Sequence, residues 1–181
     1  MVKNLYIERH CHILDNTVLL NGSVIYEQKG TDFSKFAKSA YQEFNTDYSK
    51  FFKMDNLSKL TFLAADLLLK RSDSGEEERN IALVLSNRSS SLDTDRKHQK
   101  SIANGDSYFP SPAVFVYTLP NICMGEISIR HRLYSENGFF VFDDFNPQHL
   151  HDYAESLIEG GKADKVLCGW TDFDDEKYEA F

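Results

Sequence analysis

Phe139-Phe140-Val141-Phe142 carries the strongest strand signal in this sequence of 181 residues. All four residues are aromatic or β-branched, and these are the types that favour β-strands. No polar residue interrupts them, and the same is true of Ile81–Leu85. Continuous apolar strands are typical of a parallel sheet that helices cover on both faces. We therefore predict an α/β domain in which Phe139–Phe142 is a central, buried strand.

Helical periods surround these two strands along the chain. Apolar residues recur three or four positions apart from Phe33 to Phe44, with Thr31 or Asp32 as the candidate N-cap. The same spacing predicts a second helix over Asn56–Lys70. Further helices are predicted over Ile122–Arg132 and, from a proline at the start to a glycine pair at the end, over Pro147–Gly160.

The remaining segments are predicted as strands, loops and a tail. Two strands joined by a turn are predicted within residues 5–13 and 18–26, because Asp15-Asn16 is a turn signal. Further along the chain we predict a loop over Ser72–Arg79, a mobile polar loop over Asn87–Asp106, a last strand over Lys165–Cys168 and a loose acidic tail over Asp172–Phe181.

The charge balance restricts the kinds of partner. The formal net charge is -8, from 28 acidic and 20 basic residues, and such a surface repels the phosphate backbone of nucleic acids. The densest basic cluster is Arg96, Lys97, His98 and Lys100. Because Asp93 and Asp95 balance this cluster, we interpret it as a solvated loop rather than a nucleic-acid site.

Cysteine usage and hydropathy indicate the compartment. Cys11, Cys123 and Cys168 are widely spaced and odd in number, which predicts free thiols in a reducing environment. The charged N-terminal residues do not resemble a signal peptide, and no apolar run approaches the roughly 20 residues of a membrane helix. We expect a single cytoplasmic domain over residues 1–181 that binds neither nucleic acid nor membrane.

The second half of the chain resembles the N-terminal half of the β-ketoacyl synthases. The matching residues are Ser111-Pro112, Leu119-Pro120-Asn121, Gly125, Ile127–Arg130, Asn137–Phe142, His149 and Gly161–Gly169. They align without gaps from Ser111 to Trp170. A weaker likeness covers Lys53–Leu60 and Ile81–Ser86. The resemblance implies a thiolase-like half, namely a five-stranded mixed sheet with helices on its faces.

Two departures from the family imply a chain without catalysis of its own. In the gapless alignment the nucleophilic cysteine of the family falls on Asp144, and a carboxylate is a much poorer nucleophile than a thiolate. The sequence also ends after the last expected strand, so we expect it to lack the family's second half, which supplies two catalytic histidines and a lysine. The resemblance therefore predicts a protein that is not an enzyme and needs no cofactor.

The helix after Asp144 is predicted to be buried on one side only. Its apolar residues form a single stripe of Leu150, Tyr153, Ala154, Leu157 and Ile158. The rest of its surface is polar, and burial of unpartnered polar groups costs several kcal/mol. In complete family members this helix lies between the two halves, so the pattern favours a chain that stands as a single half.

The resemblance also predicts an interface and a tunnel wall. In the family the strand matching Phe139, Phe140, Val141 and Phe142 pairs antiparallel with its counterpart across a dimer interface. The segments around Val114, Phe115, Tyr117 and Met124 lean into the acyl tunnel of the partner subunit. The alternative for these four residues is ordinary core packing.

We therefore expect a non-catalytic companion of a full-length β-ketoacyl synthase, similar to a chain length factor, in fatty-acid or polyketide-type synthesis. Its partner would be the synthase in a heterodimer or a second copy in a homodimer, with an acyl carrier protein as a possible third component. One alternative is a small thioester-acting hydrolase that uses Asp144 with His149 or His151. Another is a homodimeric acyl-binding or structural protein.

Two further clusters suggest chemistry, but a simpler interpretation is favoured for each. Asp143 and Asp144 could form an acid/base pair, although neighbours on a strand point apart. His10 and His12 would share one face of a strand, with a third metal ligand from His149 or His151, while Cys11 points away. Ordinary histidines are the favoured interpretation, so no metal site is predicted.

Overall fold

The structure is a computed structural model that describes residues 5–70, 79–103 and 110–181. Within these residues the chain forms seven strands and six α-helices around one mixed sheet. The strands are β1 (Cys11–Leu14), β2 (Thr17–Leu20), β3 (Ser23–Glu27), β4 (Ile81–Asn87), β5 (Asn137–Val141), β6 (Lys165–Asp174) and β7 (Lys177–Ala180). The helices are α1 (Phe33–Glu43), α2 (Asn56–Leu69), α3 (Leu92–Ile102), α4 (Pro112–Val116), α5 (Ile122–His131) and α6 (Pro147–Glu159), and a 3-10 helix covers Ser49–Lys53.

The sheet has the strand order β3-β2-β1-β7-β6-β4-β5. β4 pairs in parallel with both β5 and β6, and every other neighbouring pair is antiparallel. The predicted α/β class and the mixed sheet are confirmed. The predicted number of five strands is wrong, because the described residues contain seven.

One additional strand comes from a turn near the N-terminus. Asn21 and Gly22 have φ angles of 50° and 81°, and positive values at both central positions are typical of a two-residue hairpin turn. This turn divides the segment 18–26, which we predicted as one strand, into β2 and β3. The turn at Asp15 and Asn16 lies where the sequence predicts it.

The other additional strand lies at the acidic end of the chain. We predicted a loose tail over Asp172–Phe181, but β6 runs on to Asp174 and a turn at Asp175 and Glu176 leads into β7. Phe173 is fully buried within this hairpin. Acidic and apolar residues alternate here, so one face of the hairpin is acidic while the other packs in the core. Composition alone does not reveal that alternation.

The position of β5 in the sheet contradicts the prediction of a central strand. In the part of the chain that the structure describes, β5 pairs only with β4 and therefore forms an edge of the sheet. The fully buried strand is instead β4, which lies between β5 and β6 and whose seven residues are all buried. Continuous apolar residues show that both faces of a strand are covered by side chains. They do not show whether the strand has a neighbour on each side.

Helices cover the two faces of the sheet unequally. Ile81, Leu83 and Leu85 point into the main core with α1, α2 and α5, whereas Ala82 and Val84 point to a smaller cluster beneath α6. α6 buries Leu150, Ala154 and Leu157 and exposes its polar side. The prediction of one-sided burial for this helix is confirmed.

The polar segment Asn87–Asp106 that we predicted as a loop contains α3 in residues 87–103, and residues 104–106 lie outside the described residues. Asp93 lies in the first turn of α3 and pairs with Lys97 at 2.6 Å. Carboxylates near a helix N-terminus and pairs four residues apart both stabilise helices. Arg96 pairs with Asp174, so the basic cluster is largely neutralised by neighbours.

The other helices follow the predicted bounds closely. α1 begins after Asp32, whose side chain accepts a hydrogen bond of 2.9 Å from the backbone N–H of Lys35. α2 ends one residue before the predicted Lys70. The predicted loop Ser72–Arg79 lies outside the described residues except for Arg79. Among the helices described, none is long and apolar enough to span a bilayer.

Candidate functional site

The open edge of β5 is the most distinctive surface of the sheet. Leu83 N–H donates to Glu136 O at 3.1 Å, and Phe142 N–H donates to Asn87 O at 2.9 Å. Along a parallel ladder, alternate residues of a strand bond to one neighbour. The even-numbered residues of β5 therefore face β4. The N–H and C=O groups of the odd-numbered residues, Asn137, Phe139 and Val141, point to the open edge.

The four predicted interface residues lie on different surfaces of this strand. Phe139 packs half-buried against the main core, and Val141 is 54% exposed. Phe140 packs on the opposite face, with its ring centroid 5.3 Å from that of Tyr153 on α6. Phe142 lies just beyond β5 and stacks on Phe140 at 5.9 Å. The edge itself is therefore formed by Phe139 and Val141.

A cleft of about 450 Å³, lined by apolar side chains and by Asn121 and Asn137, lies between this edge and α5. We call it the β5 cleft. Its walls include Ile122, Met124 and Gly125 from α5 and Asn137, Phe139 and Val141 from β5. The same odd-numbered residues that present free backbone groups therefore also line the cleft. The cleft lies between β5 and α5 and opens at the position that a strand added beside β5 would occupy.

The four predicted tunnel residues are not equivalent. Met124 is 4% exposed, belongs to the core and also lines the β5 cleft. Tyr117 is buried in the core, as the alternative interpretation predicted. Val114 is half-buried on α4, and Phe115 is 60% exposed with its ring 5.4 Å from that of His98. Only Phe115 is free to meet a partner directly.

Two tyrosines fix α5 behind the cleft. Glu126 of α5 accepts hydrogen bonds from Tyr48 Oη at 2.7 Å and from Tyr117 Oη at 3.1 Å. Burial, together with the adjacent carboxylate of Glu126, raises the pKa of both phenols, which keeps them protonated donors. No pattern in the sequence indicates this network, because Tyr48 lies 78 residues from Glu126 along the chain.

A buried ion pair fixes the other end of α5. Asp66 of α2 is 3% exposed, and its Oδ1 lies 3.1 Å from His131 Nε2 and 3.7 Å from Arg130 Nε. Neither contact is a well-aligned hydrogen bond, but Thr46 Oγ1 donates to Asp66 Oδ2 at 3.2 Å. Burial alone raises the pKa of Asp66, and the interactions with His131, Arg130 and Thr46 outweigh it, so the pKa lies below its ordinary value. An acidic residue inside the apolar pattern of α2 was the signal for this pair.

Asp144, which we predicted to replace the family's nucleophile, has no catalytic groups beside it among the described residues. Asp143 and Asp144 are exposed in the loop between β5 and α6. Among the described residues, neither carboxylate has a hydrogen-bond or ion-pair partner. His149 packs instead between the rings of Phe140 and Phe142, at centroid distances of 4.6 Å and 5.1 Å. The hydrolase alternative needs His149 or His151 within hydrogen-bond reach of Asp144, and the structure brings neither to it.

The histidines near the N-terminus are not brought together with those of α6. His12 Nε2 contacts Glu179 Oε1 at 2.8 Å, and His10 is exposed. Cys11 is buried, which raises the pKa of its thiol to about 12. The described group closest to a ligand set is His151, Asp152 and Glu155 on the solvent side of α6, and nothing there points to a bound metal.

The three cysteines are free thiols, as the sequence predicts. Burial raises the pKa of Cys123 to about 12, so this thiol, like that of Cys11, is protonated at neutral pH and is a poor nucleophile. Cys168 lies exposed on β6.

No protein-family model matches the sequence, and no curated protein matches it. Two solved structures share the fold described above. One is the ishigamide ketosynthase/chain length factor, with a TM-score of 0.60 and 23% identity over 68% of this chain and 36% of that chain. The other is a ketosynthase in complex with its chain length factor from Xenorhabdus doucetiae, with a TM-score of 0.63 and 13% identity over 96% of this chain and 74% of that chain.

The chain thus spans little more than a third of the ishigamide protein chain and about three quarters of the Xenorhabdus one. At these identities the likeness concerns the fold. It agrees with the resemblance that the sequence suggested over Ser111–Trp170. The chain has the fold of ketosynthase and chain length factor structures.

Proposed function

We propose that this chain is a non-catalytic partner of a full-length β-ketoacyl synthase, similar to a chain length factor, and that it pairs through the open edge of β5. One observation carries the proposal. Phe139 and Val141 have backbone groups that no strand among the described residues pairs, and with Asn137 they line the β5 cleft. The fold shared with a ketosynthase–chain length factor complex supports a synthase as the partner.

Physical chemistry supports pairing at this edge. A regular strand with unpaired N–H and C=O groups is a template for another strand, and proteins that leave it open risk aggregation. Adding a strand satisfies the backbone groups and covers Val141 and the cleft. The exposed Phe115 of α4 offers further apolar area for the same partner.

The second part of the proposal is that the chain shapes the acyl tunnel of its partner. Val114 and Phe115 lie on α4, Tyr117 follows this helix directly, and Met124 lies on α5 and lines the β5 cleft. The interactions of Glu126 with Tyr117 hold these helices together. A rigid apolar wall of this kind would limit the length of the acyl chain that the synthase extends. The pathway would be fatty-acid or polyketide-type synthesis, with substrates delivered by an acyl carrier protein.

The proposal assigns no reaction to the chain itself. Asp144 stands where the family has its cysteine, in a loop without an adjacent base. We therefore expect condensation to depend on the cysteine and histidines of the partner synthase.

Co-expression with a full-length β-ketoacyl synthase from the same organism tests the proposal. Gel filtration with light scattering should show a heterodimer. Val141→Lys should abolish it, because the charge would be buried at the new strand pair. The matched control is Val24→Lys on β3 at the opposite edge, where the valine is 59% exposed, and it should leave the heterodimer intact.

Three other outcomes would contradict the proposal. Separate monomers would remove the synthase as partner. A pure homodimer that rejects the synthase would favour a self-associating acyl-binding or structural protein. Thioester hydrolysis that disappears in Asp144→Asn would favour a small hydrolase.

A further inference from the structure

We propose that Gly125 determines which partner strand the β5 cleft accepts, by leaving room for one large apolar side chain of that strand. This inference rests on the proposed function, since it names the determinant of partner choice at the same site. It concerns the cleft side of α5 rather than the backbone edge of β5.

Nothing within the chain explains a glycine at position 125. A Cβ on Gly125 would meet no atom within 4 Å, and its φ angle is not positive. Glycine in the middle of a helix is less stable than alanine, because more backbone entropy is lost on folding. The glycine therefore lowers helix stability without relieving any clash in this chain.

The other glycines that the structure describes all have a local reason. Three take positive φ angles, which side chains disfavour, and these are Gly22, Gly30 and Gly161. A Cβ on Gly169 would lie 2.2 Å from Phe181 O and one on Gly160 would lie 2.9 Å from Ser156 O. Gly138 has a ring of Phe140 at 3.3 Å. Among the described glycines without a positive φ angle, only Gly125 has open space where a Cβ would lie, and Gly125 lines the β5 cleft.

The geometry of strand pairing fixes what enters this space. In an antiparallel pair, side chains of directly opposed residues lie on the same face of the sheet. Residues of an added strand that oppose Phe139 and Val141 would therefore project toward α5. Ile122 and Met124 make the cleft apolar, so it favours a leucine, methionine or phenylalanine side chain.

An exposed residue of α5 extends the apolar lining of the β5 cleft. Ile129 lies one helical turn beyond Gly125 and is largely exposed. Residues four apart on a helix share a face, so Ile129 extends the apolar wall past the glycine. Gly125 therefore leaves a gap beside Ile129 on this face of α5, and a large side chain of the partner fills the gap.

The test measures the affinity of the full chain for the partner synthase and the thermal stability of the chain alone. Gly125→Leu should weaken the complex about 10- to 100-fold, since overpacking an interface has a cost of that size. The melting temperature of the isolated chain should not fall, because the space is open. Gln42→Leu, an exposed helical position on α1, is the control for added bulk and should leave affinity unchanged.

Gly125→Ala provides a second test that remains informative if Gly125→Leu misfolds. It should raise the melting temperature of the isolated chain and weaken the complex less than leucine does. Truncating the large apolar residue of the partner strand to alanine should restore binding to Gly125→Leu.

The failure of this inference can be told from the failure of the proposed function. If the unaltered chain does not bind the synthase, the proposed function is wrong. If the unaltered chain binds and both glycine variants bind equally well, only the role of Gly125 is overturned. A lower melting temperature for Gly125→Ala would also overturn it, because the glycine would then have a structural reason within the chain.

Discussion

The two edges of the sheet expose similar side chains but differ in backbone regularity. At one edge, β3 exposes Val24 and Ile25, and its pairing with β2 shifts register between Val18 and Leu19. At the other edge, β5 pairs with β4 in five successive residues without a shift and exposes Val141. The β5 edge also has the β5 cleft behind it.

The difference suggests that the β3 edge is protected against pairing, whereas the β5 edge is suited to binding a partner strand. Bulges twist an edge strand and interrupt its ladder, which is one way in which proteins prevent edge-to-edge association. An exposed valine is therefore weak evidence for an interface. A regular ladder of unpaired backbone groups with a cleft behind it is stronger evidence for an interface. The β5 edge has both features.

The largest expected effect comes from removing one outward backbone donor at the β5 edge. Val141→Pro deletes the N–H that points away from β4, and proline is tolerated where the N–H of an edge strand faces solvent. The chain should fold, but its affinity for the synthase should fall about 1,000-fold or more by calorimetry. Val141→Thr keeps the donor and the β-branched shape, so it should change affinity less than about 10-fold. Equal affinities for the two variants would contradict pairing through this edge.

The next effect concerns the helix that backs the β5 edge. Asp66→Ala leaves His131 and Arg130 without their buried carboxylate, which should lower the free energy of unfolding by about 3 kcal/mol in urea. Asp164→Ala removes an exposed carboxylate and should stay within about 0.5 kcal/mol of the unaltered chain. Similar losses in both variants would show that the ion pair does not hold α5.

Acid should weaken the same ion pair. The pKa of Asp66 lies below its ordinary value in the folded chain, so its charged form stabilises folding fully above about pH 4. That contribution is lost as pH falls through the folded pKa. The difference in unfolding free energy between the unaltered chain and Asp66→Asn should therefore narrow from pH 6 to pH 3. A constant difference over this range would contradict the assignment.

The smallest effect concerns the hydroxyl groups that fix α5. Tyr48→Phe removes a hydrogen bond to the carboxylate of Glu126 and should cost about 1.5 kcal/mol of unfolding free energy. Tyr134→Phe, at a largely exposed tyrosine, should change it by less than about 0.5 kcal/mol. If Tyr48→Phe is as mild as its control, the network does not stabilise the wall of the cleft.

Periodic patterns in the sequence predict most of the elements, because these patterns record which faces are buried. The stripe of α6, the bounds of α1 and the buried strand β4 follow from them directly. Apolar periodicity does not predict α3, because Thr94 is its only buried residue and charge interactions stabilise the helix instead. β7 is not predicted either, because the alternation of polar and apolar residues covers only four positions within an acidic segment.

The site itself could be predicted only in part. The strand Phe139–Phe142 stands out in the sequence, but its place at the edge depends on which strands pair, and side-chain patterns do not encode that. The acidic Asp66 within the apolar pattern of α2 indicates a buried partner, but the sequence does not show that His131 and Arg130 supply it. The role of Gly125 emerges only when the space beside it is visible.

Residue-resolved amide hydrogen exchange of the free chain and of its complex with the synthase tests the pairing of β5 most directly. The N–H groups of Phe139 and Val141 should exchange rapidly in the free chain and become strongly protected in the complex. Those of Val24 and Ile25 should be unchanged. A stable complex in which Phe139 and Val141 still exchange rapidly, or in which protection appears at β3, would contradict the account.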